Sequence, residues 1–379
     1  MKRLIYADHA ATTKLDSDAF EAMRPFLLEV YGNPSQPYSF ARKPKQAIKA
    51  ARETIARCIN ALPEEIFFTS GGTESDNWAI KGVLSSFTDH RLFLHSAIEH
   101  HAVLNVATGL KKQIGYCNVA SLPVDEDGVV KDEYLRHGLA NENTLISVML
   151  ANNEIGTIQP IKHLCEIAHS YGALVHTDAV QAVGHIPVDV KELGVDLLSA
   201  SAHKFNGPKG VGFLYIKQGT CIERHLAGGA QENGMRAGTE NVAAIVAMAV
   251  ALEKNCSAMS ENIEYLRNLE SVFFNELNNC SVSYIANGSR QAHLPGLISI
   301  SFAGKDGEAL LHRLDLMGIS VSTGAACDSV RTQISHVLKA IGLPEEIAKG
   351  TIRISFGKDN TVEDAKGIAQ ALIKVFCKQ

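Results

Sequence analysis

Residues 173–181 read Ala173-Leu174-Val175-His176-Thr177-Asp178-Ala179-Val180-Gln181, a mostly apolar, β-rich run that ends in a carboxylate. A run with so little alternation is what a strand covered on both faces of a sheet requires. Similar runs stand at 66–69, 92–95, 145–150, 197–200 and 211–216. Between them, 44–60, 74–86, 100–112 and 161–171 carry spaced apolar positions and good helix formers. This alternation predicts βαβ units, hence an α/β fold with a mostly parallel sheet flanked by helices. Beyond residue 240 the pattern changes to one long helical stretch over 241–278, an apolar run at 297–302, a helix near 308–317 and a last helix near 362–376. That sequence of elements predicts a smaller α+β domain. No Pro- or Ser-rich linker separates the parts, so the long helix is expected to cross the boundary, with 14–250 forming the large domain and 1–13 and 251–379 the small one.

The 379 residues are 46% hydrophobic and 20% charged, enough apolar side chain for a large core. Lys and Arg total 36 against 41 acidic residues, a formal charge of −5, with no basic block of the kind nucleic-acid binders carry. A small molecule is therefore the expected partner, with no direct nucleic acid. The longest apolar run, 242–252, falls short of the roughly 20 residues that span a bilayer. Lys2 and Arg3 precede too short an apolar stretch for a signal peptide, so neither a membrane anchor nor export is expected, and the predicted location is the cytoplasm. The 8 cysteines include no CxxC pair, which argues against a zinc site or a disulfide framework.

Chemistry is suggested at several places. Thr69-Ser70-Gly71-Gly72-Thr73-Glu74-Ser75 lies between a predicted strand and helix, where free backbone N–H groups could hold a phosphate. Gly-Gly there equally describes a tight turn with a Ser/Thr cap. Asp178 sits at the carboxyl end of a buried strand, where open α/β sheets bind ligands; it would suit a protonated pyridine nitrogen or simply cap the next helix. Lys204, in Ser201-Ala202-His203-Lys204-Phe205-Asn206-Gly207-Pro208-Lys209-Gly210, is either a solvated loop lysine or one held facing the cleft. Cys327 lies in Ser322-Thr323-Gly324-Ala325-Ala326-Cys327-Asp328-Ser329, too poorly apolar for a core strand and expected to be mobile; it is either a surface thiol or a nucleophile. His100 and His101 beside Glu99 lack a spaced partner to complete a metal set, so no metal is expected.

In order, these segments resemble the cysteine desulfurases, pyridoxal-phosphate enzymes of the class V aminotransferase family. The resemblance runs from Tyr6-Ala7-Asp8 to the C-terminus through Ala10-Ala11-Thr12-Thr13, Gly32-Asn33-Pro34-Ser35, residues 69–77, Glu99-His100, Asn152-Asn153-Glu154-Ile155-Gly156, Thr177-Asp178-Ala179-Val180-Gln181, residues 201–210, 234–241 and 322–329. It implies a fold type I transferase with pyridoxal 5'-phosphate held covalently by Lys204 and its ring nitrogen paired with Asp178. By the same resemblance His100 stacks on the ring. Gly72, Thr73, Ser201 and His203 hold the phosphate, Asn153 and Gln181 touch the cofactor, and Thr239 reaches the phosphate of a second subunit, implying a homodimer. Arg353 is the expected substrate-carboxylate arginine, with Asn33 a further substrate contact. Cys327 would attack the sulfur of L-cysteine, leaving L-alanine and a persulfide for an iron–sulfur scaffold or a tRNA-thiolation enzyme.

Two stretches depart from the family's pattern. Tyr38 and Phe40 stand near where a histidine and a glycine usually follow Gly32-Asn33-Pro34-Ser35, and 328–333 continue the cysteine loop unusually. Other readings keep the cofactor but change the reaction, as in a class V aminotransferase or a selenocysteine lyase. A non-catalytic sulfur carrier is a further alternative, for which Lys204 has no use.

Overall fold

The computed structural model describes residues 4–113, 115–139, 143–280, 282–324 and 334–377. In chain order its strands are β1 (Ile5–Tyr6), β2 (Ile66–Thr69), β3 (Leu92–Ser96), β4 (Asn118–Leu122), β5 (Thr144–Ser147), β6 (Leu174–Asp178), β7 (Leu197–Ser201), β8 (Gly212–Ile216), β9 (Ile285–Ala286), β10 (Leu297–Ser301), β11 (Ile319–Ser320) and β12 (Thr351–Ser355). Seven of them form one sheet in the order β2-β8-β7-β6-β5-β3-β4.

Strands β4, β3, β5, β6 and β7 run parallel, as expected from the helices between them. Strand β8 does not: it pairs antiparallel with both β7 and β2. Only residues 202–211 join β7 to β8, a link carrying a single 3₁₀ turn, where a parallel return needs a crossover of a dozen or more residues. The absence of alternation in these strands has a direct cause. Leu145, Leu197 and Leu214 pack with Trp78, Val83 and Phe93 on one face. Their neighbours Ile146, Leu198 and Phe213 belong to the larger cluster on the other. Both faces are covered, so both parities are apolar. Strand β4, the edge, is largely exposed, which hid it in the sequence.

A second core forms around the antiparallel sheet β12-β10-β9. Ile300, Ile352 and Ile354 pack there with Leu269, Phe273 and Leu277 of the helix Met259–Asn278 and with Leu372 of the last helix, Val362–Cys377. The single long helix expected over 241–278 is two helices, Val242–Ser257 and Met259–Asn278, bent by 71°. The first buries Ile245, Met248 and Leu252 in the large core, and the second serves the small one. One straight rod could not face both. Among the described residues no single helix is long and apolar enough to cross a membrane.

Two features aim this scaffold at one place. The carboxyl ends of β6 and β7 face the start of the helix Gly72–Ser86, the usual ligand crevice of an open α/β sheet. Residues 7–13 run from beside β12 back to that crevice, where Ala10 N donates to Ser355 Oγ and Thr13 N to the His203 carbonyl.

Candidate active site

A cleft of about 530 Å³ opens at this junction, bringing together Gly72, Thr73, Asp178, Ser201, Lys204 and Arg353 from segments far apart in sequence. His100, Asn153, Gln181 and His203 line it as well.

One end is built for an anion. Gly71 has φ +148°, which side chains rarely adopt, and a Cβ on Gly72 would stand 2.6 Å from Val180 Cγ2. Gly-Gly is thus a tight turn, with Gly71 rather than a Ser or Thr at the cap position, and it leaves the amino end of a 15-residue helix open to the cleft, where an anion could be held. Glu74 in that first turn would oppose an anion, but Arg236 binds it, Nε to Oε1 at 2.8 Å. His203 shares a hydrogen bond with Thr12 Oγ1 at 3.1 Å, and burial with Lys204 and Lys209 nearby pushes its imidazole down to about 4. It therefore offers neutral hydrogen bonding at pH 7.

The other end presents a cation opposite a buried anion. Lys204 follows β7 in a 3₁₀ turn, and its Nζ donates to the carbonyls of Ala10 at 2.6 Å and Ala11 at 2.8 Å. Gln181 Nε2 donates to that same Ala10 carbonyl. Asp178, 4% exposed, accepts from Val180 N at 2.9 Å, so one of its oxygens does cap a turn, though no helix follows. Burial raises its carboxyl, while His100, the Val180 N–H and Lys204 pull it back. His100 precedes the helix His101–Lys111, and its Nδ1 accepts from Ala102 N at 3.1 Å. Its imidazole is lowered by burial against the pull of Asp178, which leaves a neutral ring in the cleft.

The wall comes from the small sheet. Arg353 on β12 is 4% exposed; its Nη2 pairs with Asp8 Oδ1 at 2.7 Å and its Nη1 donates to the Asn153 carbonyl at 2.8 Å. Its Nε is buried without a hydrogen-bond partner. A carboxylate is the ligand that a fork so held accommodates.

The remaining predicted residues lie elsewhere. Asn33 accepts from Ser35 N and is outside the cleft lining. Thr239, assigned to a second subunit's site, lines a neighbouring pocket of about 190 Å³ with Ser70 and Arg236. Cys327 falls outside the described residues, while Gly324 just before that stretch lines the cleft. The sequence reading missed Asp8 as the partner of Arg353 and Asp76 as a lining carboxylate. Asp76 had one signal, an acid four positions past Gly72 on a helix whose Trp78, Ile80 and Val83 are buried.

Helix-end N–H groups with Thr73, Ser201 and neutral His203 suit a phosphate, buried Asp178 suits a protonated ring nitrogen, and Lys204 suits an aldehyde. On this sheet, that donor set defines a pyridoxal-phosphate enzyme of fold type I. The chain belongs to the class V aminotransferase family, whose pattern it matches over residues 5–368, and within it to the cysteine desulfurases. It is 50% identical over 379 residues to the "Cysteine desulfurase IscS" of Dictyoglomus turgidum, covering 100% of this chain and 96% of the relative. A solved "NIFS-LIKE PROTEIN" superposes with TM-score 0.93 at 38% identity, covering 100% of both chains. The structure "SspA in complex with cysteine" does so with TM-score 0.81 at 33% identity, over 93% of this chain and 98% of the other.

Proposed function

We propose that this chain converts L-cysteine to L-alanine, moving the sulfur to Cys327 as a persulfide that is handed to an acceptor protein. The observation that carries this is the opposition of Lys204 and Asp178 across one cleft whose wall holds Arg353. When bound, pyridoxal phosphate supplies a conjugated, protonated ring that draws off the electron pair left at the substrate Cα. The chain does the rest. Arg353, on the cleft wall, takes the substrate carboxylate, and Asp8 and the Asn153 carbonyl keep the guanidinium in place. Lys204 Nζ, once displaced by the substrate amine, is the base for the Cα proton, with the neutral His100 imidazole beside it as a proton relay.

Cys327 Sγ then attacks the substrate Sγ. One S–S bond forms, the Cβ–Sγ bond breaks, and protonation of the remaining carbon framework yields alanine, so thiol plus cysteine balances persulfide plus alanine. Matches over the full length to relatives named cysteine desulfurase favour this over transamination. The acceptor is a cluster scaffold or a tRNA-thiolation enzyme, the working form a homodimer in which Thr239 serves the partner's phosphate, and the location the cytoplasm. The division into 14–250 and the two flanking segments suits such a cleft.

The purified protein, incubated with pyridoxal phosphate, L-cysteine and a thiol reductant, is expected to release sulfide and alanine in equal amounts. Cys327→Ala should abolish both while the protein still binds the cofactor, and Lys204→Ala should abolish both. A cofactor-loaded wild type that makes no alanine would overturn the reading in favour of an aminotransferase acting on another amino acid.

A further inference from the structure

The floor of the cleft contains a carboxyl group that the chemistry above leaves unused. Asp76, near the start of the helix Gly72–Ser86, is 1% exposed and lines the cleft beside Asp178. Single donor atoms of Asp76, Asp178 and His100 all lie within 4.8 Å of one another. Asp76 Oδ1 has no hydrogen-bond partner and stands 3.6 Å from His176 Nε2. The Asp76 carboxyl is hydrogen-bonded to Ser199, whose Oγ shares a hydrogen bond with His176 Nε2 at 2.9 Å; His176 Nδ1 in turn meets Ser147 Oγ at 2.9 Å. Burial drives the His176 imidazole down to about 3, so this neighbour brings no positive charge.

Two carboxyl groups this close in a dry site do not both ionise. The charge goes where it is best stabilised. Asp178 has Lys204, His100 and the Val180 N–H. Asp76 has the carboxyls of Asp178 and Glu99 near it, a hydrogen bond to Ser199, and the imidazoles of His100 and His176, both lowered by burial and so uncharged at neutral pH. Glu99 is itself pushed up to about 8 by burial, although Ser96 Oγ and Met149 N donate to its Oε1. We infer that Asp76 is a neutral carboxylic acid that donates a hydrogen bond within the cleft floor, leaving Asp178 as the one anion presented to the cofactor's ring nitrogen. Burial and the charge of Asp178 move the Asp76 carboxyl well above its ordinary range, in the direction this requires. Asp76 is thereby a positioning residue for Asp178. The inference rests on the pyridoxal-phosphate reading of the cleft.

An acid and an amide of the same shape both donate a hydrogen bond, which gives the test. In the infrared difference spectrum of wild-type minus Asp76→Asn holoenzyme at neutral pH, a protonated-carboxyl carbonyl band is expected. The affinity for pyridoxal phosphate and the pH midpoint of the bound cofactor's visible absorption should hold in Asp76→Asn, within about threefold for affinity. Asp76→Ala should weaken cofactor binding by about tenfold or more and move that midpoint. An ionised-carboxylate signal in the difference spectrum, an Asp76→Asn as disruptive as Asp76→Ala, or two variants both matching wild type would overturn the inference. If Asp76→Ala does not fold, the infrared band and Asp76→Asn decide alone. A wild type that takes up no pyridoxal phosphate sinks the proposed function; one that binds it but shows an ionised Asp76 sinks this inference only.

Discussion

At the floor of the cleft, on the seven-stranded sheet, Asp178, Asp76, Glu99 and His176 are buried side by side, and their charges are suppressed by burial or concentrated on one group. At the wall, on the three-stranded sheet, Arg353 is just as buried but is paired with Asp8 at 2.7 Å. The floor hangs from adjacent strand ends and one helix start, whose geometry is set by a packed core on both faces. The wall is assembled from residues 345 apart, Asp8 and Arg353, held by pairing. On the proposed function the floor would serve the cofactor, which stays, and the wall the substrate, which comes and goes.

The hardest strike at that contrast is Asp178→Asn, which removes the one anion of the floor. Breaking a buried charge pair in this way costs about 3–5 kcal/mol, so cofactor affinity should fall roughly 10²–10⁴-fold in a fluorescence titration with pyridoxal phosphate. An unchanged affinity would mean that the floor's charge does not act on the cofactor. Arg353→Lys tests the wall. Loss of the fork should raise KM for L-cysteine by about 10- to 100-fold with cofactor affinity unchanged, and a matching loss of cofactor affinity would erase the distinction between the two regions.

Gly72→Ala sharpens the comparison at the phosphate end, where a Cβ would meet Val180 Cγ2 at 2.6 Å. Overpacking of this kind costs about 1–3 kcal/mol, visible as a lower melting temperature. An effect spread over pH is expected far from the cleft, at Glu270 of the small core, whose carboxyl is pushed up by burial to about 8 from 4.5 even though Gly296 N donates to it. A carboxyl raised on folding contributes stability that is complete below pH 4.5 and lost as pH rises through about 8. The wild-type stability should therefore fall more steeply across that window than that of Glu270→Gln, the difference in slope being at most about 1.4 kcal/mol per pH unit. Parallel curves would show that Glu270 ionises as freely folded as unfolded.

The strands of the large sheet were legible because burial on both faces places apolar side chains on both parities, as at Leu197, Leu198, Phe213 and Leu214. So was the end of β6, where a carboxylate closing an apolar run marks a ligand crevice. Strand β4 was not, because an edge strand exposed on most positions carries little apolar signal. Nor was the antiparallel direction of β8, since residue types alone do not state the direction of a neighbour.

By itself the sequence determined the α/β class and, through the resemblance of its ordered motifs to the cysteine desulfurases, singled out Lys204, Asp178 and Arg353 as candidates, because such motifs are read from residue types along the chain. Only the tertiary structure decided that the 241–278 helix bends by 71° to serve two cores, that Asp8 holds Arg353, and that Asp76 lies against Asp178. Each of these depends on groups distant in sequence sharing one desolvated space, where proximity and the loss of water set both direction and charge.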